Sequence, residues 1–198
     1  MSKTVIYSDN KFAREFGDEL ETSPNEGVFL TKLSVKSSGV TINHSVTSLE
    51  TESEKRQTTD YSVTAQALVH PDMEAVLKRA ACHLAILTEY VTIKRTQSIK
   101  FLNEVEEIPS EFEKFTVTGI SISNHEGDSY GVVISGNRRL ASGRVTNLVS
   151  ELVKLNQDGY FYVTELNALM DDILDESMLY LSGKQGTPDQ LTLDLEAA

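Results

Sequence analysis

Alternating apolar and polar residues are the feature of this chain that most constrains its fold. They alternate in FLTKLSVK, residues 29–36, and again in VTINHSVT, residues 40–47, with Ser-Ser-Gly between the two stretches. A period of two places alternate side chains on opposite faces of a β-strand, and a short turn containing glycine joins neighbouring strands into a hairpin. We therefore predict a hairpin here, a loop in the polar stretch 48–60, and a third strand in YSVTAQALV, residues 61–69.

A helical repeat follows these strands. After Pro71, which suits the first turn of a helix, apolar residues recur three or four positions apart, the spacing that gathers side chains on one helical face. This stripe consists of Met73, Val76, Leu77, Ala80, Leu84 and Leu87. We predict an amphipathic helix near residues 71–90.

The second half of the chain repeats this order. Strand patterns with turns between them occupy residues 115–123, 130–136 and 144–155. A second helical stripe follows and consists of Leu166, Leu169, Met170, Ile173 and Leu174. We predict a helix near residues 164–182, with Thr164 as its N-terminal cap and Gly183 at its end.

Together these patterns predict an α+β protein, with one or two antiparallel sheets and two packed helices on one face. Because three strands and a helix occur twice in the same order, a duplicated βββα unit is a topological conjecture. We divide the chain into a loosely ordered N-terminal arm, residues 1–28, an α+β body, residues 29–184, and a C-terminal docking tail, residues 185–198. The halves of the body cover about residues 29–100 and 101–184.

Composition argues against several functional classes. The chain has 198 residues and a single cysteine, Cys82, so we expect a core without a disulfide framework, in a reducing compartment such as the cytoplasm. No run of about 18 apolar residues is present, so we expect no membrane partner. The net charge of −12 argues against a general electrostatic binder of DNA, because affinity for phosphates depends on clustered lysine and arginine.

The motifs that usually carry catalysis do not occur in the sequence. There is no GxxxxGK[ST] loop for nucleotide phosphates, no GxSxG nucleophile turn and no HExxH zinc motif. The four histidines lie in separate predicted elements, and Cys82 lies beside the apolar helical stripe, which favours a buried structural cysteine over a nucleophile. We therefore expect no enzymatic activity, no metal and no cofactor.

A local excess of basic residues interrupts this acidic chain. Residues 130–154 contain three arginines and a lysine against Glu151 alone. In proteins that bind single-stranded nucleic acid, cations follow the phosphates while aromatic side chains on a sheet stack against the bases. The candidate nucleic-acid-binding residues are Arg138, Arg139, Arg144, Lys94, Arg95, Tyr130, Phe115 and Tyr61. The alternative is that Arg138 and Arg139 are edge-protecting charges in a tight turn between strands, and that the aromatic residues belong to the core.

The acidic C-terminal stretch DQLTLDLEAA contains leucines with a period of two. The six residues from Gln190 to Leu195 resemble the bacterial sliding-clamp-binding peptide, whose usual forms are QLxLF and QLxLxL. An extended peptide presents alternate side chains to one side of a groove. The resemblance implies that Gln190, Leu191, Leu193 and Leu195 dock on a bacterial sliding clamp.

The body also resembles small bacteriophage proteins that combine strand hairpins with a final helix and a terminal docking peptide. The resemblance is carried by KLSVKSSGVTI, FTVTGISIS, GVVISGNRRLASGRVTNL and YLSGK. It implies a setting in phage replication or recombination and no catalytic residue. Our leading hypothesis is a non-enzymatic DNA-metabolism protein of a phage or mobile element, in the host cytoplasm, that binds single-stranded DNA or serves as a replication or recombination accessory and docks on a bacterial sliding clamp through its tail. The alternative is an acidic protein-interaction module that inhibits or modulates a host protein. Oligomers are compatible with both hypotheses.

Overall fold

The computed structural model describes residues 27–36, 39–50, 55–66, 68–94, 99–123, 130–155, 157 and 159–184. Its strands are β1 (Gly27–Lys36), β2 (Gly39–Glu50), β3 (Lys55–Ala65), β4 (Phe115–Ser123), β5 (Gly131–Arg139), β6 (Val145–Val149) and β7 (Val153–Lys154). Its α-helices are α1 (Pro71–Leu87) and α2 (Val163–Leu181). Three short 3₁₀ turns between α1 and β4 span Lys100–Leu102, Val105–Glu107 and Ser110–Phe112.

The strands form one antiparallel sheet in the order β3-β2-β1-β4-β5-β6, and β7 pairs with β5. Each set of three consecutive strands is a meander, and the two sets join where β1 pairs with β4. That junction is short, because only Lys32–Ser34 pair with Gly119–Ser121. The structure confirms the predicted α+β class. The order of three strands and a helix occurs twice, with β7 as an addition in the second half.

The alternation of the strands places one face of the sheet against the helices. Leu33, Ile42 and Ile120 lie in one cross-strand row and are all buried. The two helices run antiparallel on this face, because Arg79 near the middle of α1 pairs with Asp172 at 2.6 Å, while the His70 N–H at the start of α1 donates to the Tyr180 hydroxyl near the end of α2 at 2.7 Å. Neither described α-helix is long and apolar enough to cross a bilayer.

The predicted loop over residues 48–60 is wrong over most of its length. β2 continues to Glu50 and β3 begins at Lys55, and the two strands pair without a register shift from Val40↔Ala65 to Glu50↔Lys55. The polar composition of this stretch suits the edge strand of a sheet, where charged and polar side chains discourage pairing with other chains. Polarity therefore marked an edge strand here and not a loop.

Four smaller features also differ from the prediction. The strand predicted over residues 144–155 is two short strands, β6 and β7, with residues 150–152 between them. Arg138 and Arg139 are the last residues of β5, and the turn follows them. Helix α1 ends at Leu87, because the Thr88 side chain donates to the Leu84 carbonyl at 2.6 Å and Glu89 adopts a left-handed backbone conformation with φ of 59°. The N-cap of α2 is Tyr162, without a side-chain capping bond, and the predicted cap Thr164 lies inside the helix.

Candidate functional site

Three side chains from separate elements meet at one end of the sheet. Phe115, at the start of β4, lies directly opposite Arg138 of β5. Tyr90 reaches them because the chain reverses after α1, where the Tyr90 and Val91 amides both donate to the Ala85 carbonyl. The Arg138 guanidinium lies 4.2 Å from the centre of the Tyr90 ring and 5.7 Å from that of Phe115. The two rings are 6.2 Å apart.

This contact fixes an exposed aromatic ring. Tyr90 retains 46% of its accessible surface, whereas Phe115 is buried. A guanidinium over an aromatic ring is attracted by the negative charge density of the ring face. The Arg138 Nε is buried and has no hydrogen-bond partner in the structure. Arg138 therefore holds the Tyr90 ring in place, while much of that ring remains open to solvent.

Further cations lie at the same end of the sheet. The Arg139 N–H donates to the Lys114 carbonyl at 2.8 Å, and the Leu140 N–H donates to the Arg144 carbonyl at 2.8 Å. Lys114, Arg139 and Arg144 are all exposed. Within the described ranges, no ion pair joins these three or Arg138 to a carboxylate. We call Lys114, Arg138, Arg139 and Arg144 the basic end.

Phe115 also forms one wall of a groove of about 680 Å³. The groove opens where β1 and β4 separate beyond their short pairing, between Val35–Lys36 on one side and Thr116–Thr118 on the other. The pairing of β4 with β5 has a register shift between Val117 and Gly119, beside this opening. The other walls come from α1 and from the 3₁₀ turns, and they are largely apolar. Four charged side chains also line it: Lys36, Glu74, Lys78 and Glu113.

The structure brings together only some of the predicted nucleic-acid-binding residues. Arg138 and Phe115 are in contact, and Arg139 and Arg144 lie beside them. Tyr130 is at the other end of β5, packed against the core, where burial and then the charge of Asp171 raise its pKa to about 12. Tyr61 lies on β3, three strands away from Phe115, which corresponds to about 14 Å.

The remaining predicted residues add no described contact to this site. Lys94 is exposed, four residues after Tyr90. Arg95 lies outside the described residues, as do the predicted docking residues Gln190, Leu191, Leu193 and Leu195. The sequence patterns identify neither Lys114 nor Tyr90 as a site residue, and they place Tyr90 at the end of the predicted helix. One feature of the sequence sets Tyr90 apart from the helix core, because Tyr90 is not a member of the apolar helical stripe.

The buried titratable groups between the helices belong to the core. His83 is fully buried, and its Nδ1 is hydrogen-bonded to the Tyr160 hydroxyl at 2.9 Å. Burial, and then the charge of Arg79, lowers the pKa of His83 to about 3. Burial raises the pKa of the neighbouring Cys82 thiol to about 12. Both groups are therefore neutral at physiological pH and closed to solvent.

Comparison with known proteins adds no assignment to these observations. No protein-family model, no curated protein and no solved structure matches the chain.

Proposed function

We propose that the protein binds single-stranded nucleic acid, with DNA as the preferred ligand, at the basic end of its sheet. The observation that carries this proposal is the half-exposed Tyr90 ring supported by the guanidinium of Arg138. A base stacks on the exposed part of that ring, and Lys114, Arg139 and Arg144 contact the phosphates on either side. The site is non-enzymatic in this proposal, because its contacts hold a ligand and include no paired acid and base.

A single strand suits this site better than a duplex. The bases of a duplex are stacked on one another, so a lone tyrosine ring has no free base to receive. A flexible single strand can place one base on Tyr90 and bend its backbone around the strand ends towards Arg139. The net charge of −12 repels phosphates elsewhere on the molecule, which confines binding to the basic end and keeps the affinity moderate.

The C-terminal tail supports a place for this activity in DNA metabolism. We propose that Gln190, Leu191, Leu193 and Leu195 dock on a bacterial sliding clamp and so deliver the body to replicating or recombining DNA of a phage or mobile element. This part of the proposal rests on the resemblance of residues 190–195 to clamp-binding peptides, and it places the protein in the bacterial cytoplasm.

The test of the nucleic-acid site is the substitution Tyr90→Ala. Stacking contributes about 1–3 kcal/mol per base, so Kd for a fluorescent single-stranded oligonucleotide should rise by about fivefold to a hundredfold. Tyr61→Ala is the matched control, because Tyr61 lies on β3, at the edge of the sheet farthest from β6. It should leave Kd unchanged. Fluorescence anisotropy at fixed salt measures both values.

The phosphate contacts have their own measurement. Replacing Lys114, Arg139 and Arg144 with alanine should lower the slope of log Kd against log salt concentration by about two. Each lost phosphate contact on a single strand accounts for roughly 0.7 of this slope. Lys32, Lys78 and Lys154 are exposed lysines away from the basic end, and their triple substitution changes the net charge equally. If the two triple variants behave alike, or if Tyr90→Ala and Tyr61→Ala do, the basic end is not the site.

A second candidate function is supported by the groove beside Phe115. A largely apolar groove of about 680 Å³ has the size of a ligand or peptide site, and the unpaired edges of β1 and β4 within it suit an extended peptide. This favours a protein-interaction module that modulates a host protein. This function would be supported over the first if the protein binds no oligonucleotide and if Ile108→Glu abolishes its binding to a host protein.

A further inference from the structure

The helix-facing side of the sheet is wider than its two helices can cover. Six strands lie side by side in the order β3-β2-β1-β4-β5-β6, and at about 4.8 Å each they form a sheet about 29 Å wide. Two helices of about 10 Å diameter cover about 20 Å. Their main contacts with the sheet are those of α1 with β4 and β5 and of α2 with β1. The uncovered strip therefore falls on β3 and the adjoining part of β2.

The side chains at the centre of this strip are aliphatic or aromatic. Val63 lies in one row with the buried Ile42 and Leu33, yet it is 41% exposed. Tyr61 lies in the next row, opposite His44. The His44 and Tyr61 rings are stacked, with centres 5.4 Å apart and planes inclined by 17°. The His44 Nδ1 is buried without a hydrogen-bond partner in the structure. The core face thus continues onto β3 with no described element over it.

The position of Gly27 indicates which segment of the chain can cover the strip. β1 starts at Gly27, opposite Thr47, and Leu30 of the same strand lies in the row of His44 and Tyr61. The chain preceding Gly27 therefore enters the sheet three residues, or about 10 Å, from that row. Residues 21–26 can span at most about 20 Å, so residue 20 and those before it can reach the strip.

The segment KFAREFGDEL, residues 11–20, has the sequence that such a cover needs. Phe12, Phe16 and Leu20 are four residues apart, which places them along one side of a helix. Arg14 and Asp18 fall on the opposite side. Ten helical residues are about 15 Å long, enough to span both rows. Gly17 weakens an isolated helix, so a helix in this segment would need packing against the sheet.

We propose that residues 11–20 form an amphipathic helix that docks on the β2–β3 strip of its own chain, with Phe12 and Phe16 against Tyr61 and Val63. This third helix completes the cover of the sheet. It also removes Tyr61 from the surface available to nucleic acid, although the proposal does not rest on nucleic-acid binding.

A pair of engineered cysteines tests the contact in the full chain. Phe16→Cys combined with Val63→Cys should give an intrachain disulfide on mild oxidation, seen by non-reducing electrophoresis and peptide mass spectrometry. The single native cysteine, Cys82, is fully buried and does not compete. The control pair is Phe16→Cys with Val149→Cys, because Val149 is exposed on β6, the strand at the opposite edge of the sheet. It should give no intrachain disulfide.

Two outcomes of this experiment overturn the proposal. Equal intrachain crosslinking of both pairs, or none of the first pair, would show that the segment does not dock on the strip. An interchain disulfide in the first pair would assign the strip to the segment of a second copy.

A spectroscopic measurement keeps the proposal testable if the cysteine variants fail to fold. The chain contains no tryptophan, so Tyr61→Trp introduces a single reporter on the strip. Its emission maximum should lie at a shorter wavelength than that of a solvent-exposed tryptophan. Adding Phe12→Ser and Phe16→Ser should shift this maximum to a longer wavelength, while the circular dichroism signal of α1 and α2 stays unchanged. Emission that is already that of exposed tryptophan, or that does not respond to the serine substitutions, contradicts the docked helix.

Discussion

At the scale of single residues, Gly136 shows how closely β5 is packed beneath the candidate site. A Cβ at this position would lie 2.2 Å from the Thr116 carbonyl oxygen and 2.7 Å from the Leu84 side chain. The backbone of β4 cannot move away without breaking the pairing that places Phe115 opposite Arg138. The requirement at Gly136 is therefore one of space, and it links the core to the position of the basic end.

Gly136→Ala should lower the free energy of unfolding by about 1–3 kcal/mol, the usual cost of overpacking a core. Urea unfolding followed by circular dichroism measures the change. Gly159→Ala is the matched control, because no described atom beyond its chain neighbours lies within 4 Å of the added Cβ. A loss of stability no larger than that of the control would show that β4 and Leu84 can yield, and that the close packing is not required.

At the scale of elements, the two helices are held together by polar contacts at three levels. Lys184 donates to Asp72 at 2.7 Å and to Glu176 at 2.8 Å, next to the bond between His70 and Tyr180. The hydrogen bond from Lys184 lowers the pKa of Asp72. Arg79 and Asp172 pair in the middle, and His83 and Tyr160 meet at the other end. Because His83 is fully buried, this last level makes the packing of the helices sensitive to acid.

Acidification should destabilise the protein through His83. The unfolded chain protonates this histidine below its ordinary pKa of 6.5, whereas the folded chain does so only near pH 3. Between these values the unfolded state binds more protons, so stability falls as the pH is lowered through this window. Through His83, the free energy of unfolding should fall by about 2 kcal/mol between pH 7 and pH 5.

The comparison that isolates this contribution is His83→Asn, which keeps a hydrogen-bonding group near the Tyr160 hydroxyl and cannot be protonated in this range. Between pH 7 and pH 5, the free energy of unfolding should fall by about 2 kcal/mol less in the variant than in the natural chain. Urea unfolding at the two pH values measures this fall in each protein. Equal differences in the two proteins would mean that His83 is accessible or accommodates its charge when folded.

The sequence predicted the elements better than it predicted the site. Period-two and helical stripes identify which face of β4 or α1 is buried, since burial of apolar surface depends on local spacing. They do not show that Tyr90, Phe115 and Arg138 meet, because that contact needs the reversal at Glu89 and the pairing of β4 with β5. The predicted loop at 48–60 failed for a related reason, since a polar strand at a sheet edge has no local signal that separates it from a loop.

At the scale of the whole molecule, charge is distributed unevenly. The chain carries a net charge of −12, yet four cations gather at one end of the sheet without a described carboxylate paired to them. Like charges at one end of a sheet repel one another, and an anion between them lowers this repulsion. In the proposed function, the basic end therefore attracts an anionic ligand, while the net negative charge of the molecule limits the affinity.

The body and the tail should act as separable parts of the proposed function. Lys184, the last described residue before the tail, is held to α1 through Asp72, so changes beyond it need not disturb the basic end. Replacing Gln190, Leu191 and Leu193 with alanine should abolish binding to a bacterial sliding clamp, since each buried leucine contributes about 1.5–3 kcal/mol. The same variant should bind the oligonucleotide like the natural chain.

Tyr90→Ala should do the reverse, with clamp binding kept and oligonucleotide affinity lowered. A bridging assay compares the two variants directly: clamp is immobilised, protein is added, and capture of a labelled single strand is measured by surface plasmon resonance. The natural chain should capture the strand at a strand concentration near its Kd. The tail variant should capture none, because no protein is retained, and the Tyr90 variant should be retained but capture much less strand. Strand capture by the tail variant, or loss of clamp binding in the Tyr90 variant, would show that the two parts do not act separately.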